Sequence, residues 1–326
     1  MRPGRSSAGG PEVTVRGPAK LNLSLAVLAR RPDGFHEIES LMVPVTLHDV
    51  VRVRPAAAPG IRLTVRFGGR LAGPHAAALA RDVPTDDTNL VVRAVRLLAA
   101  EAGVEPRLDI DLVKAIPSGA GLGGGSSDAA AVLRAAATAW NIDWPADRLA
   151  AIGAAIGSDV PWFFAGGPAI ARGRGEQVEP VPALRSLAAV IACPAVGLST
   201  AAVYGRCTPD AGHRGMAWQL AEALAGGGLR PALQFMDNAL EPPARQLCPD
   251  VDRLLTALAR AGAVAPRLTG SGSACFALTR TVAEARSVAA RVAAAGVASG
   301  GRWPGVFVVR LAEPGRGVQL PRATGG

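Results

Sequence analysis

Pro117-Ser118-Gly119-Ala120-Gly121-Leu122-Gly123-Gly124-Gly125-Ser126-Ser127-Asp128 places five glycines in twelve residues, between an alternating run and an alanine-rich stretch. Glycine enters positive-φ conformations without steric cost, so a loop this dense in it can bring several backbone N–H groups close to an anion. A helix beginning at its end would add partial positive charge. The stretch reads as a phosphate cradle, and so as a nucleotide-binding loop; a glycine-rich structural turn is the plain alternative. Upstream, Leu108, Ile110 and Leu112 alternate with Asp109 and Asp111, which predicts a half-buried strand within Leu108 to Ile116. Downstream, Ser126, Ser127 and Asp128 offer N-cap chemistry for a helix running through Ala139.

Absences narrow the class of loop. A Walker A loop needs Lys and then Ser or Thr after its last glycine, and no Lys follows Lys114. Gly119, Gly121 and Gly124 do match the dinucleotide pattern G-x-G-x-x-G. That pattern also needs an acidic residue about 20 positions on, at the end of a second strand. The nearest, Asp143, sits in Asn141-Ile142-Asp143-Trp144-Pro145, which reads as a helix-ending loop. A protein-kinase loop fails as well, because Gly125-Ser126 stands where x-Val is needed and neither H-R-D nor D-F-G follows.

Composition sets wider limits. With 326 residues, 49% hydrophobic and 19% charged, the chain is long enough for one large or two ordinary globular domains and is not wholly disordered. Met1 to Pro11 has no apolar core of a secretory signal. The charge-free run Ser186 to Gly205 reaches the length of a membrane span, but Pro194, Gly197, Ser199 and Thr200 interrupt it. A buried strand followed by a loop is the better reading, so a soluble, cytoplasmic protein with no membrane partner is expected. Cys193, Cys207, Cys248 and Cys275 show neither metal-ligand spacing nor a disulfide framework.

The formal charge of +9 suits nucleic acid or an acidic small substrate. The arginines are dispersed, with no basic tract and few interleaved aromatics, which argues against nucleic acid. Of the 35 cationic side chains only Lys20 and Lys114 are lysines. In a chain that uses Arg as its general cation, a retained Lys points to a compact charge meeting one oxygen or phosphate in tight space. An ordinary solvated lysine is the alternative at both positions.

Four segments together resemble a known family. Pro18-Ala19-Lys20-Leu21-Asn22-Leu23, Asp33-Gly34-Phe35-His36, the Pro117 to Asp128 loop and Leu268-Thr269-Gly270-Ser271-Gly272-Ser273 occur in the order found in the GHMP small-molecule kinases. The resemblance spans roughly Val13 to Leu278, and the triple glycine favours the branch that acts on a cytidine diphosphate substrate of isoprenoid precursor synthesis over the mevalonate and homoserine kinases. It implies ATP-dependent phosphorylation of a substrate hydroxyl, the 2-hydroxyl in that branch, with Mg²⁺ as the metal. It also implies an α+β, two-domain GHMP kinase fold, with an N-terminal α+β nucleotide-binding domain and a C-terminal ferredoxin-like domain, as a monomer or weak homodimer.

Roles carry over on the matching positions. Asp159, in Gly157-Ser158-Asp159-Val160-Pro161, matches the catalytic aspartate and Lys20 its partner, whose charge would lower the hydroxyl pKa and keep the aspartate ionised. An aspartate capping the turn after Gly157 is the alternative. Pro117 through Ser127 would cradle ATP. Asn22 matches a position near the acceptor hydroxyls, while Phe35 and His36 match a pair that stacks on and hydrogen-bonds the cytosine. Relatives often carry Tyr at the position of Phe35, so any hydrogen bond from that hydroxyl is absent here. Lys114 would lie near the nucleotide or the cytidine diphosphate. Thr200 is either a further substrate contact or a helix N-cap. Gly270 to Ser273 would form a second phosphate-facing loop or a plain hairpin turn. Ser127 or Asp128 could offer Mg²⁺ an oxygen, and no metal ligand is assigned.

The organisation expected is a disordered extension over 1–11, a first domain over 12–182, a second over 183–311 and a flexible tail over 312–326. A turn-rich stretch from Gly166 to Pro182 would separate the domains. Ala188 to Cys193 reads as a buried strand, Trp218 to Ala225 and Val251 to Ala261 as helices, and Ala274 to Leu278 as a strand.

Overall fold

The computed structural model describes residues 10–72, 79–80, 83–300 and 303–311. The tail expected over 312–326 and all but the last two residues of the extension expected over 1–11 lie outside the described residues.

The first sheet has seven strands: β1 (Val13–Asn22), β2 (Ala26–Arg30), β3 (His36–Pro55), β4 (Gly60–Phe67), β5 (Arg107–Lys114), β6 (Ala169–Gly173) and β7 (Gln177–Pro180). Its path is β4-β5-β3-β6-β7, with β1 and β2 also paired to β3. The 20-residue β3 is the spine: its N-terminal half pairs with β2 and β6, its C-terminal half with β5, and β1 runs antiparallel along most of it. The alternation foreseen before the glycine loop is β5, whose every second residue is buried. Helices α1 (Leu90–Ala102), α2 (Gly124–Ala139) and α3 (Ala146–Ala154) contribute to the same core as this sheet. The helix α1 starts at Asn89, whose side chain accepts from the Val91 N–H, and stops at Gly103 in the left-handed region. The alanines of α2 lie against β1 and β3, small side chains permitting the close approach that carries the loop to the sheet.

The second sheet is antiparallel: β8 (Ala188–Cys193), β9 (Arg267–Leu268), β10 (Cys275–Thr279) and β11 (Gly305–Arg310), in the order β11-β8-β10-β9. Between β8 and β9 lie α4 (Thr200–Tyr204), α5 (Met216–Glu222), α6 (Leu229–Ala232), α7 (Glu241–Leu247) and α8 (Pro249–Arg260), and α9 (Val282–Ala298) joins β10 to β11. Strand, helices, two strands, helix and strand in this spatial order make the ferredoxin-like arrangement that was expected.

Three expectations need correction. Gly166 to Pro182 is not merely turn-rich: it holds the β6–β7 hairpin, which extends the first sheet, because Ala169, Ile170 and Ala171 can be buried against β3. The last strand before α9 is Cys275–Thr279, one residue later than foreseen, since Ala274 gives its N–H to Ala120 in the glycine loop instead of to the ladder. Ser126, Ser127 and Asp128 do not cap α2; the helix begins earlier, after Gly123, and all three lie inside its first turns.

The two sheets share a core in which Leu21, Leu41 and Val43 join the same cluster as Ile191, Phe276 and Phe307. The buried Glu39 of β3 adds a polar tie, accepting hydrogen bonds from the Gly215 and Ala217 N–H groups at the start of α5 and pairing with Arg172. All four cysteines are free. Among the described residues no helix is long and apolar enough to cross a membrane.

Candidate functional site

A cavity of about 910 Å³ lies where the two sheets meet. Its lining brings together segments far apart in sequence: Lys20 and Asn22 of β1, Phe35 and His36, the loop from Pro117 to Ser126, Asp159, Thr200, and Gly270 to Gly272.

The glycine loop is fixed by the backbone. Leu122 accepts the Lys20 N–H at 3.0 Å and Ala120 accepts the Ala274 N–H at 3.1 Å, stapling the loop to β1 and to the second glycine loop. Two glycines are required by contact as well as by conformation. A Cβ on Gly121, at φ +77°, would lie 2.2 Å from the Thr269 carbonyl oxygen, and one on Gly123, at φ +72°, would lie 2.9 Å from Lys20 Cγ. Gly123 is also the N-cap of α2 and supplies no capping side chain. The first N–H groups of α2 have no partner within the helix, and Gly124, Gly125 and Ser126 line the cavity.

Lys20 is only 4% exposed. Its Nζ donates to Asn22 Oδ1 and lies 3.8 Å from Asp159 Oδ2. Burial draws the Lys20 ammonium below the ordinary lysine pKa, and the carboxylate of Asp159 pushes it the other way. Asn22 is held in turn by Ser40, which accepts from its Nδ2 at 2.8 Å, and by Thr269, whose hydroxyl accepts the Asn22 N–H at 3.0 Å. Asp159 lies in a turn between α3 and a short 3-10 helix starting at Pro161, with its side chain 34% exposed to the cavity. The structure therefore brings Lys20, Asn22 and Asp159 into one polar cluster between the two glycine loops.

Lys114 is neither solvated nor open to the cavity in the manner of a free cation. It is buried under the loop and donates to both Asp49 and Asp128. Asp49 also accepts the Ala115 and Ile116 N–H groups, so this cluster ties β3, the end of β5 and the first turns of α2 together. Asp128 is 3% exposed, and burial beside Asp49 raises its pKa well above the usual carboxylate range. Among the described residues its Oδ1 has no hydrogen-bond partner.

Phe35 is 49% exposed, with the Arg174 guanidinium 4.8 Å from its ring centre. His36 lies 5.1 Å from the Tyr204 ring, and burial, with Arg30 adding to it, lowers its pKa. Ser199, not Thr200, caps α4; the Thr200 hydroxyl instead lies 2.9 Å from that of Ser271. The second glycine loop connects β9 to β10, so it is a hairpin turn by topology, yet Gly270, Ser271 and Gly272 line the cavity. Asn238 holds it in place by donating to the Leu268 and Gly270 carbonyls at 2.9 Å each. Ser273 donates to the Val196 carbonyl and does not line the cavity.

Sequence reasoning missed Tyr204, Arg174 and Asp49. Tyr204 carried one signal, being the chain's single tyrosine. Arg174 was one arginine among many, and Asp49 reaches Lys114 only through the pairing of β3 with β5.

Known proteins share this architecture. Residues 89–167 match the GHMP kinases N terminal domain and residues 220–298 the GHMP kinases C terminal family. A 4-diphosphocytidyl-2-C-methyl-D-erythritol kinase from Pelotomaculum thermopropionicum is 40% identical, covering 86% of this chain and 93% of its own. The enzyme of the same name from Nocardia farcinica is 38% identical over 91% and 96%. A crystal structure of 4-(cytidine 5'-diphospho)-2C-methyl-D-erythritol kinase superposes with a TM-score of 0.71 at 33% identity, covering 92% of this chain and 99% of its own. A homoserine kinase from Cytophaga hutchinsonii has a TM-score of 0.73 at 22% identity, a likeness of fold alone. With two fifths of its residues shared over most of both chains, this protein belongs to the 4-diphosphocytidyl-2-C-methyl-D-erythritol kinase family of the GHMP kinases.

Proposed function

We propose that the chain transfers the γ-phosphoryl group of ATP to the 2-hydroxyl of 4-diphosphocytidyl-2-C-methyl-D-erythritol, a step of the non-mevalonate isoprenoid route. The observation that carries this reading is the convergence of Lys20, Asn22 and Asp159 between two glycine loops, in a cavity that also holds Phe35 and His36. An anion site at the start of α2 would receive the ATP phosphates from Pro117 through Ser127, though the Ser127 hydroxyl, buried beside Gly17, supports the loop from behind. The second loop, from Gly270 through Ser273, would close the opposite wall, with Ser273 anchoring it.

Asp159 is the group placed to orient and deprotonate the acceptor hydroxyl, and Lys20 stabilises the charge that develops there. Asn22 fixes the Lys20 ammonium and, with Thr200, lies where the acceptor's polar groups would be met. Phe35 offers an open ring face to a pyrimidine, and His36 a hydrogen bond to its edge. Lys114 is better read as holding the nucleotide loop in position than as a substrate contact.

Mg²⁺ would arrive with ATP. The donor set fits an ion held mainly by phosphates, with Asp159 as the carboxylate open to the cavity, since Asp128 is buried and engaged by Lys114. The ion would offset phosphate charge during transfer.

A coupled assay of ADP release tests the reading. Turnover should need both Mg²⁺ and the cytidyl substrate, and Asp159→Ala should reduce kcat by about 10²–10⁴-fold. Turnover with mevalonate or homoserine but not with the cytidyl compound would overturn the substrate assignment.

A further inference from the structure

Among the described residues four cations line the cavity: Lys20, Arg30, Lys114 and Arg174. Two of them are committed. Lys114 is held between Asp49 and Asp128, and Lys20 is tied to Asn22 and faces Asp159. Arg30 pairs in register with His36 at the edge where β2 meets β3, at the nucleobase end.

Arg174 occupies a different place. It lies in the turn between β6 and β7, flanked by Gly173 and Gly175, both at positive φ. Its guanidinium stands 4.8 Å from the Phe35 ring centre, while a Cβ on its neighbour Gly175 would lie 3.1 Å from Asp159 Oδ1. Its guanidinium thus lies at the aromatic end of a gap whose reacting end is bordered by the backbone of the same turn at Gly175. Its nearest carboxylate partner, Glu176, is 4.0 Å from Nε and already accepts the Arg174 backbone N–H at 2.6 Å. Asp33 is engaged by Arg31 and by the Phe35 N–H. The Arg174 guanidinium lines the cavity and has only longer-range contact with these carboxylates, the 4.0 Å pair with Glu176 and a charge interaction with Asp33.

A molecule with its base on Phe35 and His36 and its hydroxyl at Asp159 must lay its diphosphate across this gap. A planar guanidinium is suited to two phosphate oxygens at once. We propose that Arg174 meets the diphosphate of the acceptor and is the specificity-determining residue that separates nucleoside diphosphate esters from plain nucleosides. This rests on the cytidine diphosphate reading given above.

The test compares CDP with cytidine by calorimetry, with ADP saturating the glycine loop, in the full-length protein and in Arg174→Ala and Arg174→Lys. The parent should bind CDP more tightly than cytidine. Arg174→Ala should weaken CDP by about 10–100-fold, the range of a charge-assisted contact, and cytidine by less than about 3-fold. Arg174→Lys, retaining a point charge, should fall between. Equal weakening of both ligands would mean that Arg174 acts only through Phe35 and would overturn the proposal, as would an unchanged CDP affinity. A parent that binds CDP with the expected preference but does not phosphorylate the cytidyl substrate would overturn the proposed function and leave this inference standing.

Discussion

Two lysines in an arginine-rich chain turn out to be buried for different purposes. Lys20 sits in the cavity with its charge disfavoured by burial, and it is charged only below its lowered pKa. The alkaline limb of kcat should therefore lie below the ordinary lysine value of 10.5, with activity lost as pH rises through it. A pH–rate profile in which activity persists beyond that value would show that the Lys20 charge is not needed. Lys114 serves the scaffold, and its partner Asp128 has a consequence for stability. Unfolded, Asp128 titrates near 3.8; folded, it holds its proton to much higher pH. Between those values the native state binds the extra proton, so stability falls as pH rises through the window. Asp128→Asn keeps an acceptor for Lys114 and removes the titration. It should melt above the parent at pH 8, by on the order of 2–4 °C, with the gap closing toward pH 4.

At the scale of the element, the glycine loop is held by what its glycines touch. Gly121→Ala would drive a Cβ into the Thr269 carbonyl from a positive-φ position, forcing the two loops apart. We expect a loss of roughly 1–3 kcal/mol in denaturant unfolding together with a raised KM for ATP. Gly125 offers a contrast within four residues: it lies in the first turn of α2 with only Leu90 Cδ1 near its Cβ position, at 3.5 Å. Gly125→Ala should leave unfolding stability unchanged or raise it by up to about 1 kcal/mol. If both substitutions had the same effect on the unfolding midpoint, loop contact would not be the source of the constraint.

For the whole molecule, the site exists because two sheets meet. Glu39 is the polar joint, receiving the start of α5 while paired with Arg172 of β6. Glu39→Ala would leave the Gly215 N–H without its acceptor. Urea unfolding should report a loss of about 1–3 kcal/mol, with KM for the acceptor rising because Arg172 stands two residues from Arg174 in the same hairpin. An unchanged KM would place the joint outside acceptor binding.

The strand before the glycine loop, the helix after it and β8 were all legible, because each rests on a periodicity or a burial pattern contained in a few consecutive residues. The start of α2 was misplaced because Ser126, Ser127 and Asp128 have capping chemistry, yet the backbone at Gly123 already begins the helix. The β6–β7 hairpin was hidden because its glycines read as turns and its strands gain their burial only against β3. The residues by themselves pointed to a phosphate-binding loop, excluded the Walker A and protein-kinase loops, weakened the dinucleotide reading and carried the family resemblance, since glycine spacing and residue type are local properties. Tertiary structure alone decided that Lys114 is locked between two carboxylates, that Thr200 meets Ser271 instead of capping a helix, and that Arg174 lies against Phe35. Those contacts join residues tens to more than a hundred positions apart, and only the pairing of strands and the meeting of the two sheets bring such residues within reach of a hydrogen bond or a charge.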